Sequence, residues 1–193
     1  MPKDVSVIDW STTFESALPY DAFLTAHGTE EQRRRWASVH ERVVLTEPQR
    51  TLIASFARRM PVLCLAGAWC GDCVNQGPVL ETIASAGAAV DLRFLDRDEH
   101  RGLADTMTIN AGQRVPVVIF LSEDFHECAR YGERTLATYR KLAADQLGPS
   151  CPTGIVGPSD DLLSAVVGDW LREFERISLM LRLSPRLREK HGD

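Results

Sequence analysis

Residues 61–87 read PVLCLAGAWCGDCVNQGPVLETIASAG, and the fold turns on how this stretch is divided. Its first part, PVLCLAGA, is a short apolar run that fits a fully buried strand. Its last part, CVNQGPVLETIASAG, predicts a helix that ends at Gly87. Between them lies AWCGDC, so Cys70 and Cys73 stand where a buried strand gives way to a helix.

Upstream, TEEQRRRWASVHERVVL opens with Thr29 and has Gln32 three residues on, the pattern of a capping box. Trp36, Val39, Val43 and Val44 then fall near helical spacing. A second helix is expected at TEPQ, with Thr46 as N-cap and Pro48 in the first turn. The earlier stretch DWSTTFESALPYDAFL suggests a short helix or loop.

Downstream, VDLRFLD predicts a strand, EHRGLADTM a helix and VPVVIFLS a third strand. FHECARYG follows Glu123 and Asp124 as a fourth strand joined by a hairpin. RTLATYRKLAADQLG is helical up to Gly148. The order βαβα then ββα predicts a largely parallel central sheet flanked by helices, with an antiparallel edge that makes it mixed. GPSCPTGIVGPS, residues 148–159, has a linker composition. A final amphipathic helix is expected over about 159–183. Leu163, Val166, Val167, Trp170, Phe174, Ile177 and Leu181 line one face of it, and Pro185 ends it. The expected organisation is a helical N-terminal extension (1–59), an α/β domain (60–147), and a linker with a C-terminal helix packed on that domain (148–193).

The chain of 193 residues is 44% hydrophobic and 25% charged, with a formal net charge of -5. That balance suits a globular domain and argues against general affinity for nucleic acid or anionic membrane. No apolar run reaches membrane-spanning length, and MPKDVSVIDW lacks the features of a secretory signal. The five cysteines, Cys64, Cys70, Cys73, Cys128 and Cys151, are a poor disulfide framework, which points to a reducing compartment, the cytoplasm.

A CxxC pair can hold a metal, close a structural disulfide or exchange electrons. A structural zinc site needs four ligands, usually as two close pairs, and here there is one pair. The five histidines show no metal spacing. A disulfide closing so short a loop stabilises little. The location favours redox chemistry. Unpaired N–H groups and the dipole at a helix N-terminus stabilise an anion, so the Cys70 thiol should ionise more readily than a free one. Cys73, one turn in, should be the covered sulfur. Cys70 would attack a disulfide, and Cys73 would resolve the mixed disulfide.

WCGDC resembles the WCGPC site of thioredoxin. The resemblance extends over about residues 60–146. CVNQGPVLETIA has the family's helix proline at Pro78 and its apolar positions at Val79, Leu80 and Ile83. VPVVIF is similar to the family's strand that begins with a cis-proline, here Pro116 after Val115. RYG, Arg130 to Gly132, matches the next strand and its glycine. WCGDC together with INAGQRVPVVIFL looks like a bacterial branch with a helical N-terminal extension. The resemblance implies a thioredoxin-like fold and thiol–disulfide exchange. It also implies a groove beside Cys70 in which Val115 and Pro116 meet the substrate backbone. Trp69 would shape the rim, and Gly71 and Asp72 would form the turn.

Two family positions differ. A buried aspartate precedes the motif in thioredoxin and a lysine often follows it; here they are Cys64 and Val74. Asp72, in place of the motif's proline, should disfavour a thiolate at Cys70 and so make the pair a better reductant. The plainer reading is an acid that suits a first helical turn, worth about 0.3–1 kcal/mol.

Cys64 reads as a buried inert thiol, and Cys128 and Cys151 as spectators. Arg114 and Gln113 read as a solvated loop, and Arg33 to Arg35 as a solvated helix face. The function expected from the sequence is a dithiol reductant of protein or small-molecule disulfides. It would need no metal or organic cofactor beyond the Cys70–Cys73 pair. A reductase or low-molecular-weight thiol would supply its electrons. The alternative is a thioredoxin-fold binding or adaptor module without redox turnover.

Overall fold

The computed structural model describes residues 8–147 and 162–193. Cys151 and the linker composition at 148–159 fall outside the described residues, as does the expected start of the last helix.

Helix α1 (Trp10–Ser16) is capped by the Asp9 side chain, which accepts from the Thr12 N–H, and α2 (Tyr20–His27) follows directly. What read as a short helix or loop is thus two helices. Leu18 between them exchanges backbone hydrogen bonds with Phe94 at 2.9 and 2.7 Å. Both expected capping boxes are present. Thr29 and Gln32 open α3 (Glu30–His40), and Thr46 and Gln49 open α4 (Glu47–Ala54). The α3 helix stops before Val43 and Val44, which do not continue its stripe; Val43 turns into the core while Val44 is exposed.

The strands are β1 (Met60–Ala66), β2 (Val90–Asp96), β3 (Val117–Leu121) and β4 (Glu127–Gly132). They form one sheet in the order β2-β1-β3-β4. β1 is buried at every residue because it has neighbours on both edges and cover on both faces, which explains its unbroken apolar run. The sheet is mixed, but less parallel than the element order implied. β1 and β2 are parallel, whereas β3 runs antiparallel to β1 and β4 antiparallel to β3. The helix between β2 and β3, α6 (Arg101–Thr106), has six residues. The rest of the link from Asp96 to Val117 does not return along the sheet: β3 starts at the end where β2 stops, and Val117 pairs with Leu65, itself the partner of Leu95.

Helix α5 (Gly71–Ser85) carries Pro78 inside it and packs against α3, β2 and α8 (Leu162–Leu183). The α8 stripe is buried at Val166, Val167, Trp170, Phe174, Ile177 and Leu181. Phe174 meets Phe120 edge-on and Trp170 meets Tyr131 in the same way. α7 (Leu136–Leu147) lies beside α8, and the Asp169 carboxylate accepts from the Ala137 N–H at 2.7 Å. Pro185 ends α8 but also begins a further helix, α9 (Pro185–His191), whose N-cap is Ser184. A proline in the first turn suits a helix start as well as a stop. Residues of α1–α4, the sheet, α5 and α8 share one hydrophobic cluster. Among the described residues no helix is long and apolar enough to cross a membrane.

Candidate active site

The end of β1 leads through Gly67–Trp69 into Cys70, the N-cap residue of α5. Cys70 is partly exposed and Cys73 is fully buried. The Cys70 thiol is drawn down to about 6, first by a hydrogen bond from the Cys73 thiol and then by the backbone N–H groups of Cys73 and Asp72. Burial and the Asp72 charge push the other way. The Cys73 thiol is pushed well above the ordinary thiol range, mainly by burial and then by donating to Cys70. The two sulfurs of one motif thus have opposite chemistry: one is an anion near neutral pH, the other a protonated donor.

The peptide bond between Val115 and Pro116 is cis. Both residues are buried, and the Val115 carbonyl oxygen lies 3.6 Å from Cys70 Sγ. The chain segment that the family resemblance singled out is therefore next to the accessible sulfur. On β4, Gly132 has φ +155°, and a Cβ there would lie 2.3 Å from the Pro116 carbonyl oxygen. Only glycine lets β4 approach Pro116 this closely.

Trp69 is 43% exposed. Its indole lies against Gly67, and the Arg97 guanidinium lies 4.5 Å from its ring centroid. Gly71 is exposed on the turn. Asp72 does not hang free in solvent. Arg134 Nε donates to its Oδ1 at 3.1 Å and Arg134 Nη2 lies 2.8 Å from its Oδ2, a bidentate pair.

Arg134 belongs to a chain of charges. Its other Nη lies 3.3 Å from Glu133 Oε1, which also accepts from the Tyr139 hydroxyl at 3.0 Å. Arg114, the residue before Val115, lies 3.5 Å from the other Glu133 oxygen. Arg114 is thus not a bare solvated loop residue, although it is about half exposed. The buried Gln76 amide donates to the Glu133 carbonyl at 2.7 Å and to the Asp72 carbonyl at 3.3 Å, and accepts from the Trp170 indole at 3.2 Å.

Sequence reading missed Arg134, Glu133 and Gln76. For Gln76 a signal existed: it falls on the same helical face as Cys73 and Leu80, where an uncharged polar residue must be satisfied once buried. Arg134 and Asp72 lie 62 residues apart, and no local pattern joins them.

Cys64 is fully buried, and burial drives its thiol far above the ordinary range. Cys128 lies on β4, partly covered. Among the described residues no three His, Cys, Asp or Glu side chains are grouped so as to hold a metal ion.

This constellation is that of a thioredoxin-like domain. A family model described as Thioredoxin matches residues 18–145, and the chain belongs to that family. The match begins at Leu18 and so takes in α2–α4 as well as the sheet. Two solved structures share the fold. One is the crystal structure of a protein of unknown function, PA1234 from Pseudomonas aeruginosa, with a TM-score of 0.67 and 21% identity, covering 89% of this chain and 99% of that one. The other is the crystal structure of an HIV epitope-scaffold, with a TM-score of 0.67 and 19% identity, covering 88% and 99%. No curated protein matches the chain.

Proposed function

We propose that the protein is a thiol–disulfide oxidoreductase acting as a dithiol reductant of protein or small-molecule disulfides. The observation that carries this reading is the split between the two thiols. Cys70 is accessible and ionised near pH 6, and Cys73 is buried and protonated against it.

The Cys70 thiolate attacks one sulfur of a partner disulfide. A Cys70–partner bond forms, the partner's S–S bond breaks, and the leaving thiolate takes a proton. Cys73 then loses its proton and attacks Cys70 Sγ, releasing the second partner thiol. Two electrons pass to the partner, and the Cys70–Cys73 disulfide is left to be reduced by a reductase or a low-molecular-weight thiol. The Val115 carbonyl lies beside the sulfur; Val115 and Pro116 would line the groove where a partner chain lies, with Trp69 and Asp72 at its border. No metal or organic cofactor enters these steps.

The direction of transfer rests on the ionisation of Cys70. Disulfide oxidoreductases range from about 7 in a reductant such as thioredoxin to about 3.5 in a strong oxidant, and about 6 lies toward the reducing end. The sparse, odd set of cysteines favours a cytoplasmic setting. The likeness of WCGDC together with INAGQRVPVVIFL to a bacterial branch supports placement there.

A redox titration tests this. The protein is equilibrated in dithiol/disulfide buffers, free thiols are alkylated, and the peptide carrying Cys70 and Cys73 is read by mass spectrometry. The expected result is one two-electron transition near or below about −270 mV, with insulin reduction that Cys70→Ser abolishes. A Cys70–Cys73 disulfide at no poise, with no Cys70-dependent insulin reduction, would overturn the reading in favour of a binding module.

A further inference from the structure

The charges beside Cys70 form a relay that reaches from one wall of the site to the other. Asp72 belongs to the CxxC turn, Arg134 to the segment after β4, and Arg114 directly precedes Val115. Glu133 joins the two arginines. The segment bearing Arg134 is pinned at two further points. Gln76 holds the Glu133 carbonyl, and Asp169 holds the first turn of α7 through the Ala137 N–H. Arg134 also stacks on the Tyr139 ring, 6.0 Å from its centroid. Its side chain therefore has few places to go other than the Asp72 carboxylate, which it grips with two nitrogens.

We propose that Arg134 is a positioning residue for the redox pair: by holding and neutralising the Asp72 carboxylate, it sets how strongly that charge acts on the Cys70 sulfur. Asp72 is the sole carboxylate within the CxxC turn, and its charge opposes the thiolate through space. A bare carboxylate in the first turn of α5 would oppose it fully. A carboxylate in a bidentate pair opposes it weakly, because the guanidinium cancels most of its field at longer range. Asp72 is among the groups acting on the Cys70 thiol, through its charge and its backbone N–H. The effect of Arg134 therefore passes through Asp72, and its removal should matter only while residue 72 is an aspartate.

This inference rests on Cys70 being the ionising nucleophile. Its test reads ionisation directly, without turnover. The pH dependence of Cys70 alkylation, followed by mass spectrometry, is measured in the full chain for the wild type and for Arg134→Gln, Arg134→Lys, Asp72→Asn and the double variant. Circular dichroism melts establish that each is folded. Arg134→Gln should raise the alkylation midpoint by about half a pH unit or more, as an uncompensated nearby charge does. Arg134→Lys should restore part of the shift, since it keeps the charge but loses the two-pronged grip. Asp72→Asn should lower the midpoint. In the Asp72→Asn background, Arg134→Gln should then have little effect. The redox potential should move in the same pattern, more negative for Arg134→Gln and less negative for Asp72→Asn.

An unchanged midpoint in folded Arg134→Gln would overturn the proposal. So would an equal shift in the Asp72→Asn background, which would make Arg134 act on the sulfur directly. Loss of insulin reduction in every variant and the wild type, with the alkylation pattern intact, would instead overturn the oxidoreductase reading and leave the role of Arg134 standing.

Discussion

The Trp36 ring fills the space that a side chain at position 77 would need: a Cβ on Gly77 would lie 2.0 Å from Trp36 Cζ3. Trp36 is fully buried on α3, and its indole N–H donates to the Ala68 carbonyl at 2.9 Å. A single residue thus ties an N-terminal helix both to the helix that begins at Cys70 and to the loop that delivers Cys70. Gly77→Ala should destabilise by about 1–3 kcal/mol through overpacking, and Trp36→Ala by about 3–5 kcal/mol. The two sites touch, so their effects should couple. Gly77→Ala should cost much less when residue 36 is leucine. Urea unfolding of the four proteins in this cycle tests the contact, and simple additivity would contradict it.

Much of this fold was legible because its signals are local. The Thr29–Gln32 and Thr46–Gln49 boxes involve residues three apart, and the β1 run and the CxxC turn are contiguous. The Val115–Pro116 strand start was legible through its resemblance to a family. What stayed hidden depends on distant residues. The Leu18–Phe94 exchange is a one-residue bridge with no strand pattern around it. The direction of β3 depends on which end of β1 the chain meets after the β2–β3 link, which element order does not encode. Pro185 could mark an end or a start, and only the Ser184 cap before it favours the start. The arginine that compensates Asp72 comes from the segment after β4, 62 residues further along the chain, so the charge beside the sulfur was visible and its neutralisation was not.

The ionisation of Cys70 should govern reactivity. Its folded value lies below that of an ordinary thiol, so the thiolate fraction climbs as pH rises through about 6 and is largely complete by neutrality. Iodoacetamide should modify Cys70 with that midpoint, while Cys73 stays protected. The hydrogen bond from Cys73 is the largest contribution to the lowering, so Cys73→Ala should move the midpoint upward. It should also leave the mixed disulfide with a partner unresolved. A wild-type midpoint in the ordinary range of about 8.5 would contradict this geometry.

Gln76 is the buried polar joint between α5, the Glu133 segment and α8. Gln76→Leu would leave the Glu133 carbonyl and the Trp170 indole N–H without partners. Each buried group left unsatisfied costs about 1–3 kcal/mol. The expected result is a clear drop in the urea midpoint with little change in the slope, and a shift in Trp170 fluorescence. A variant as stable as the wild type would show that water or a rearranged neighbour satisfies these groups.

Gly132 decides how closely β4 can approach the Cys70 side of the sheet. A methyl group there would collide with the Pro116 carbonyl at 2.3 Å, a backbone atom that no rotamer change can move aside. Its φ of +155° is also one that other residues rarely adopt. Gly132→Ala must therefore displace Pro116 or open the β3–β4 pairing at Val117. Either movement reaches the Val115 carbonyl beside Cys70. The variant should lose stability by about 1–3 kcal/mol. It should also reduce insulin more slowly than the wild type, measured at a temperature where both are folded. The alkylation midpoint of Cys70 separates two causes of that slowing. If the midpoint is unchanged, the defect lies in docking the partner against Val115. If it rises, the displacement has also disturbed the hydrogen bonds at the start of α5.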